Sequence, residues 1–253
     1  MDLKNYIDIT DWLAKYGMHG KMTNYFGRSL RHLSTLSNLN IKDWKSKNGS
    51  NVKAVDGNRF TLAHVAATLG DLDVLEAWVI RYLEQISDPS VLFSCVPPKI
   101  FSPINIRDEN GVTPAHICSI FNRMDILEYL IKNGANINAR TSDGFTIAHV
   151  AAMFGCNEIV EFLISKGISV NAESSNGWSL LQVAAICGHL NVVKCLIKLG
   201  ADSNVKDKNK RNLAHLAGLC HHLELMVWLI ENVLDVNAED DSGRNVYNYL
   251  YDV

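Results

Sequence analysis

Thr146-Ile147-Ala148-His149-Val150-Ala151-Ala152 returns at a fixed distance along the chain, and that return decides the fold. Downstream it reads Ser179-Leu180-Leu181-Gln182-Val183-Ala184-Ala185, then Asn212-Leu213-Ala214-His215-Leu216-Ala217-Gly218. Upstream it reads Thr113-Pro114-Ala115-His116-Ile117-Cys118-Ser119. Positions 116, 149, 182 and 215 are each 33 residues apart, and Asn248 falls at the next step. An earlier copy, Thr61-Leu62-Ala63-His64-Val65-Ala66-Ala67, lies 52 residues before its successor, one period plus an insertion of 19. Before that, Asn48-Gly49-Ser50-Asn51-Val52-Lys53-Ala54 keeps phase with Asn133-Gly134-Ala135-Asn136-Ile137-Asn138-Ala139.

The residues inside one period fit a pair of packed helices. Val150-Ala151-Ala152 puts small side chains on the first helix, so neighbouring helices approach closely. Ile159-Val160, Phe162-Leu163 and Ile164 give the second helix its apolar face. Gly134, Gly167 and Gly200 fall where that helix must stop, a position that favours positive φ. No single repeat can bury its apolar face alone, so each requires neighbours.

The pattern resembles the ankyrin repeat, whose consensus runs D-x-x-G-x-T-P-L-H-x-A-A-x-x-G-H, then a second helix, then G-A-D-V-N-A. The best copy runs from Asp143-Gly144-Phe145-Thr146 to Val170-Asn171-Ala172, and the likeness covers about residues 24 to 250. The resemblance implies an all-α solenoid of helix-turn-helix units joined by β-hairpins. In phase, the chain divides into a cap and degenerate repeat (1–55) and a repeat carrying the insertion (56–107). Full repeats follow at 108–140, 141–173, 174–206 and 207–239, then a partial repeat at 240–253.

Three departures from regularity stand out. Ile7, Ile9, Trp12, Leu13 and Tyr16 read as a capping helix ahead of the first repeat. The insertion near Tyr82–Ile100 is proline-rich yet carries Val91, Leu92, Phe93 and Ile100, so it reads as an ordered loop or a mobile flap. It either binds a partner or packs on its own array. Asp241-Ser242-Gly243-Arg244-Asn245-Val246-Tyr247 opens a new repeat that no second helix follows, so it reads as a cap or as a cut in a longer protein.

Composition narrows the function. A net charge of −3 with both signs interspersed gives no electrostatic footprint for nucleic acid or an acidic membrane. No apolar run approaches the ~20 residues that span a bilayer, and the N-terminus lacks the basic start and apolar run of a secretory signal. The six cysteines have no C-x-x-C spacing and read as buried free thiols of a reducing, cytoplasmic compartment.

Ankyrin proteins bind other proteins on a concave face made of hairpin tips and the exposed side of the first helices. Carried over in phase, that face predicts partner contacts at Phe60, Val112, Phe145, Trp178, Arg211 and Arg244 on the hairpins. After the paired alanines it predicts Leu69, Ile120, Phe121, Met153, Phe154 and Ile186. If about a third of each of the five aromatics were exposed, they alone would present roughly 250–400 Å², close to the largest patch of an ordinary monomer. Such a face predicts a protein partner, or a dimer of an otherwise monomeric chain. Lys206, Lys208, Lys210 and Arg211 sit on one hairpin, either as a solvated tip or as steering charge for an acidic partner segment.

No catalytic, metal or cofactor chemistry is expected. His64, His116, His149 and His215 take the consensus T-P-L-H place, where the resemblance implies hydrogen bonds within and between hairpin turns. His189 and His222 take the consensus G-H place. Cys220-His221-His222 lacks a second ligand group at zinc spacing. Asn138, Asn171, Asn204 and Asn237 follow Leu130, Leu163, Leu196 and Leu229 by eight residues. This looks like the context in which ankyrin asparagines are hydroxylated in animal cells, although the same Asn also ties hairpins together. The leading expectation is a binding or adaptor protein. The alternative is the targeting half of a larger protein whose activity lies beyond residue 253. The idiosyncratic insertion and cap are similar in style to arrays that intracellular bacteria deliver into the host cytosol.

Overall fold

A computed structural model of the chain describes residues 55–57, 59–86 and 103–251. The expected N-terminal cap and most of the insertion lie outside these residues. Helices come in pairs. They are α1 (Leu62–Leu69) with α2 (Leu72–Ile86), and α3 (Pro114–Ile120) with α4 (Met124–Lys132). Next come α5 (Ile147–Met153) with α6 (Asn157–Ser165), and α7 (Leu180–Ile186) with α8 (Leu190–Lys198). The last pair is α9 (Leu213–Leu219) with α10 (Leu223–Asn232), followed by the short α11 (Asn248–Tyr251). A 3-10 turn, Pro103–Asn105, precedes the second pair. The chain forms two compact units, one ending at Ile147 and the other beginning at Ala148.

The first helices are too short to persist alone, and packing holds them. In α3, α7 and α9 every residue up to Ile120, Ile186 and Gly218 is buried, so each of these helices is enclosed on all sides. The second helices bury one stripe each. The stripe is Ile126, Leu127 and Leu130 in α4, and Ile159, Val160 and Leu163 in α6. It recurs as Val192, Val193 and Leu196 in α8, and as Leu225, Met226 and Leu229 in α10. Each such side chain contributes ~1.5–3 kcal/mol on burial. In the first unit α1 packs on α2 and α3, and α3 on α4. In the second, α9 lies against α7, α10 and α11, and α8 against α6.

Two details differ from regularity. α2 has 15 residues where α4 has 9, so the inserted stretch begins as a continuation of that helix through Ile86. The hairpins show isolated antiparallel bridges, Arg140 with Thr146 and Glu173 with Ser179, in place of extended ladders.

Candidate functional site

Each hairpin turn is built around one short polar side chain. Asp108 Oδ1 accepts from the backbone N–H of Asn110 at 2.9 Å and of Val112 at 2.7 Å. Asp207 and Asp240 do the same for Asn209 and Arg211, and for Ser242 and Arg244. Asp56 serves Phe60, and the hydroxyls of Thr141 and Ser174 serve Phe145 and Trp178. These are Asx- and ST-type turns, set 33 residues apart from Asp108 to Asp240.

The consensus histidines join one hairpin to the next. Thr113 and His116 form a reciprocal cap, in which His116 Nδ1 accepts from the Thr113 backbone N–H at 3.2 Å. The ring proton is therefore on Nε2, which donates to the Phe145 carbonyl at 3.4 Å. His64 Nε2 lies 3.2 Å from the Val112 carbonyl. In the second unit His149 reaches the Trp178 carbonyl at 3.0 Å, and His215 the Arg244 carbonyl at 3.2 Å. Burial pushes the His116 imidazole down to about 4, against the raising effect of its bond to the Phe145 carbonyl. His189 and His222 are also lowered by burial, and they bond the carbonyls of Met153 and Ile186.

Most of the expected contact residues are not on a surface. Phe60, Val112, Ile120, Phe145, Met153, Phe154 and Ile186 are at most 4% exposed. The expectation of a broad apolar face made by these side chains is therefore corrected, and so is its area argument. The physical reason is the shortness of the first helix: its last residues turn inward with the rest. The hairpin aromatics are fixed by backbone bonds at both the N–H and the carbonyl of Phe145, and the ring enters the core. Leu69, Phe121 and Trp178 are half-buried.

The two arginines are also engaged. Arg211 is 8% exposed, and its Nε donates to Asp207 Oδ2 at 2.7 Å. It belongs to the folded hairpin, in correction of its expected partner contact. Arg244 donates from Nε to Asp240 Oδ2 at 3.1 Å, and its guanidinium lies 4.7 Å from the centre of the Tyr249 ring. Tyr249 donates its hydroxyl hydrogen bond to Asp240 at 2.5 Å. Burial alone would raise the Asp240 carboxyl. The bonds from Tyr249, from the backbone N–H groups of Arg244 and Ser242, and from the Arg244 side chain outweigh it and hold the group well below the usual carboxylate range. Burial and Asp240 push Tyr249 up to about 12. The sequence carried a sign of these pairs: Asp207 with Arg211 and Asp240 with Arg244 repeat at 33 with the same internal spacing. On the same hairpins Lys206 and Lys208 are exposed, and Lys210 reaches Asp241 at 2.7 Å.

Cys118, Cys156, Cys187 and Cys195 are free and buried, and Cys220 is half-buried. Burial pushes Cys118 and Cys187 far above the ordinary thiol range, and Cys195 and Cys220 up to about 12. Thiolate is the reactive form, and burial disfavours it at these four positions. Among the described residues no three His, Cys, Asp or Glu side chains gather as a metal would require. Among them, too, no helix is long and apolar enough to cross a membrane. Asn138, Asn171, Asn204 and Asn237 are exposed on the hairpins. Asn171 Oδ1 accepts from the Asp202 backbone N–H at 2.9 Å, a tie between successive hairpins.

A family model described as ankyrin repeats, in three copies, matches residues 88–174 and 169–240, more than half of the chain. No curated protein matches it.

Proposed function

The chain belongs to the ankyrin-repeat family, whose repeats are generally protein–protein interaction modules, and from that premise we propose that it captures a protein partner through hairpin and first-helix side chains left partly outside the core. In the second unit these centre on Trp178, with the lysines of the 206–210 hairpin and Arg244 as polar surroundings. In the first unit they are Leu69 and Phe121. The observation that carries the reading is Trp178. Its counterparts Phe60, Val112 and Phe145 are buried, while its indole stays half-buried. Tryptophan is the residue type most enriched at binding hot spots. Affinity capture from cell lysate tests it. Trp178→Asp, combined with Phe121→Asp, should lose a partner that the wild-type chain retains, at unchanged helicity.

We place the protein in a reducing compartment, a reading supported by its buried free thiols. The exposed hairpin asparagines also support oxygenase modification in animal cells. Peptides bearing Asn138, Asn171, Asn204 or Asn237 should gain the mass of one oxygen after expression there. Unmodified peptides throughout would end that proposal.

A further inference from the structure

Successive second helices in the second unit touch along one repeating rung. Glu161 on α6 accepts from the Cys195 thiol on α8, 34 residues on. Lys194 on α8 lies over the Trp228 ring on α10 at 5.2 Å, again 34 residues on. The residue that begins the next rung is Val227, at the step held by Glu161 and Lys194. Val227 is 46% exposed, and Leu223, one turn earlier on α10, is 54% exposed. Val227 is apolar where the preceding repeats are charged. Leu223 sits at the step that is Asn157 in α6 and the less exposed Leu190 in α8. At these two steps α10 presents exposed apolar side chains where α6 presents Asn157 and Glu161.

The chemistry of a covering element follows from the same helix. Leu223, Val227 and the half-buried Ile230 stand at i, i+4 and i+7, the stripe that receives another helix. Glu224 and Glu231 border it, both exposed, and α10 carries no Lys or Arg. A second copy of α10 would bring like charges together, so the acidic border selects a basic occupant. Its manner of seating also differs from that inside the array. Gly188 leaves room for the His222 ring, whereas the corresponding His221 carries a side chain at φ 58°. Tyr247, 49% exposed, stands where Ala214 is buried.

We propose that the outward face of α10, with Leu223 and Val227 at its centre and Glu224 and Glu231 at its borders, docks a basic amphipathic helix of a protein partner. This surface is separate from Trp178 and goes beyond the reading above. The probe is a synthetic helical peptide of ~18 residues with leucines along one stripe and lysines elsewhere. A matched peptide carries glutamates in place of the lysines. Binding to the full chain is followed by fluorescence anisotropy, with sedimentation of the chain alone alongside.

The lysine peptide should bind the wild-type chain in preference to the glutamate peptide. Leu223→Asn with Val227→Lys installs residues that preceding repeats already use at these steps, so the fold is kept. That variant should bind about tenfold or more weakly. Glu224→Lys with Glu231→Lys should reverse the preference, and Trp178→Asp should leave binding unchanged. The proposal is overturned if the lysine peptide fails to bind, if both peptides bind alike, or if the Leu223/Val227 variant binds as wild type does. It is equally overturned if the chain self-associates through Val227, which makes the occupant a second copy. Loss of binding in Trp178→Asp would merge the two surfaces and end the proposal as a distinct one.

Discussion

Phe145 and Trp178 occupy the same step of consecutive repeats and have the same backbone ties. Phe145 N–H bonds the Thr141 hydroxyl, and its carbonyl receives His116. Trp178 N–H bonds the Ser174 hydroxyl, and its carbonyl receives His149. Yet the phenylalanine ring is 1% exposed and the indole is half-buried. Backbone bonds fix where a hairpin residue stands. What packs against its side chain decides whether it serves folding or recognition.

Charging the two positions is the harshest way to break that comparison. Phe145→Asp places a carboxylate in the core and removes a large ring, so a loss of on the order of 3–5 kcal/mol is expected in urea denaturation. Trp178→Asp should shift the midpoint far less. Comparable losses at both positions would mean that the indole is core.

Acid sharpens the comparison from the backbone side. His116 has its native pKa lowered to about 4. Between the unfolded value near 6.5 and about 4 the unfolded chain binds more protons, so stability falls as pH drops through that window. For a fully buried imidazole this amounts to on the order of 3 kcal/mol once complete. His189, His215 and His222, lowered in the same direction, steepen the fall. Asp240 loses its contribution only below the ordinary carboxylate range, because its native value is depressed. His116→Gln, the residue type at 182, should flatten the pH 4–6.5 limb measured by denaturation at a series of pH values.

A smaller effect separates conformational strain from crowding. Gly188 and Gly200 have φ of 73° and 89°. A methyl group at Gly188 collides with the His222 ring, whereas at Gly200 nothing lies within 4 Å. Gly188→Ala should therefore cost more than Gly200→Ala by about 1–2 kcal/mol in thermal melts. The smallest effect belongs to Lys210→Ala. Its exposed pair with Asp241 should leave the melting temperature unchanged.

Much of this architecture was legible in the sequence. The 33-residue phase located the helix pairs, the stops at Gly134, Gly167 and Gly200, and the histidines that join hairpins. Exposure was not legible, because it depends on which neighbour covers a side chain and on how tightly a seven-residue helix is enclosed. Phe154 and Ile186 look like surface positions in phase, yet they turn inward at the end of such helices. Arg211 and Arg244 look like solvated hairpin charge, and their partners Asp207 and Asp240 lie only four residues before them. The exposed pair Leu223 and Val227 was readable by setting Val227 beneath Lys194 and Glu161, a comparison between repeats that tracking the first helix alone does not make.

The decisive measurement is quantitative affinity capture with wild type against Trp178→Asp, the two matched in melting temperature. If Trp178 carries recognition, at least one protein held by the wild-type chain is lost from the variant. The same proteins recovered in the same amounts from both would contradict it.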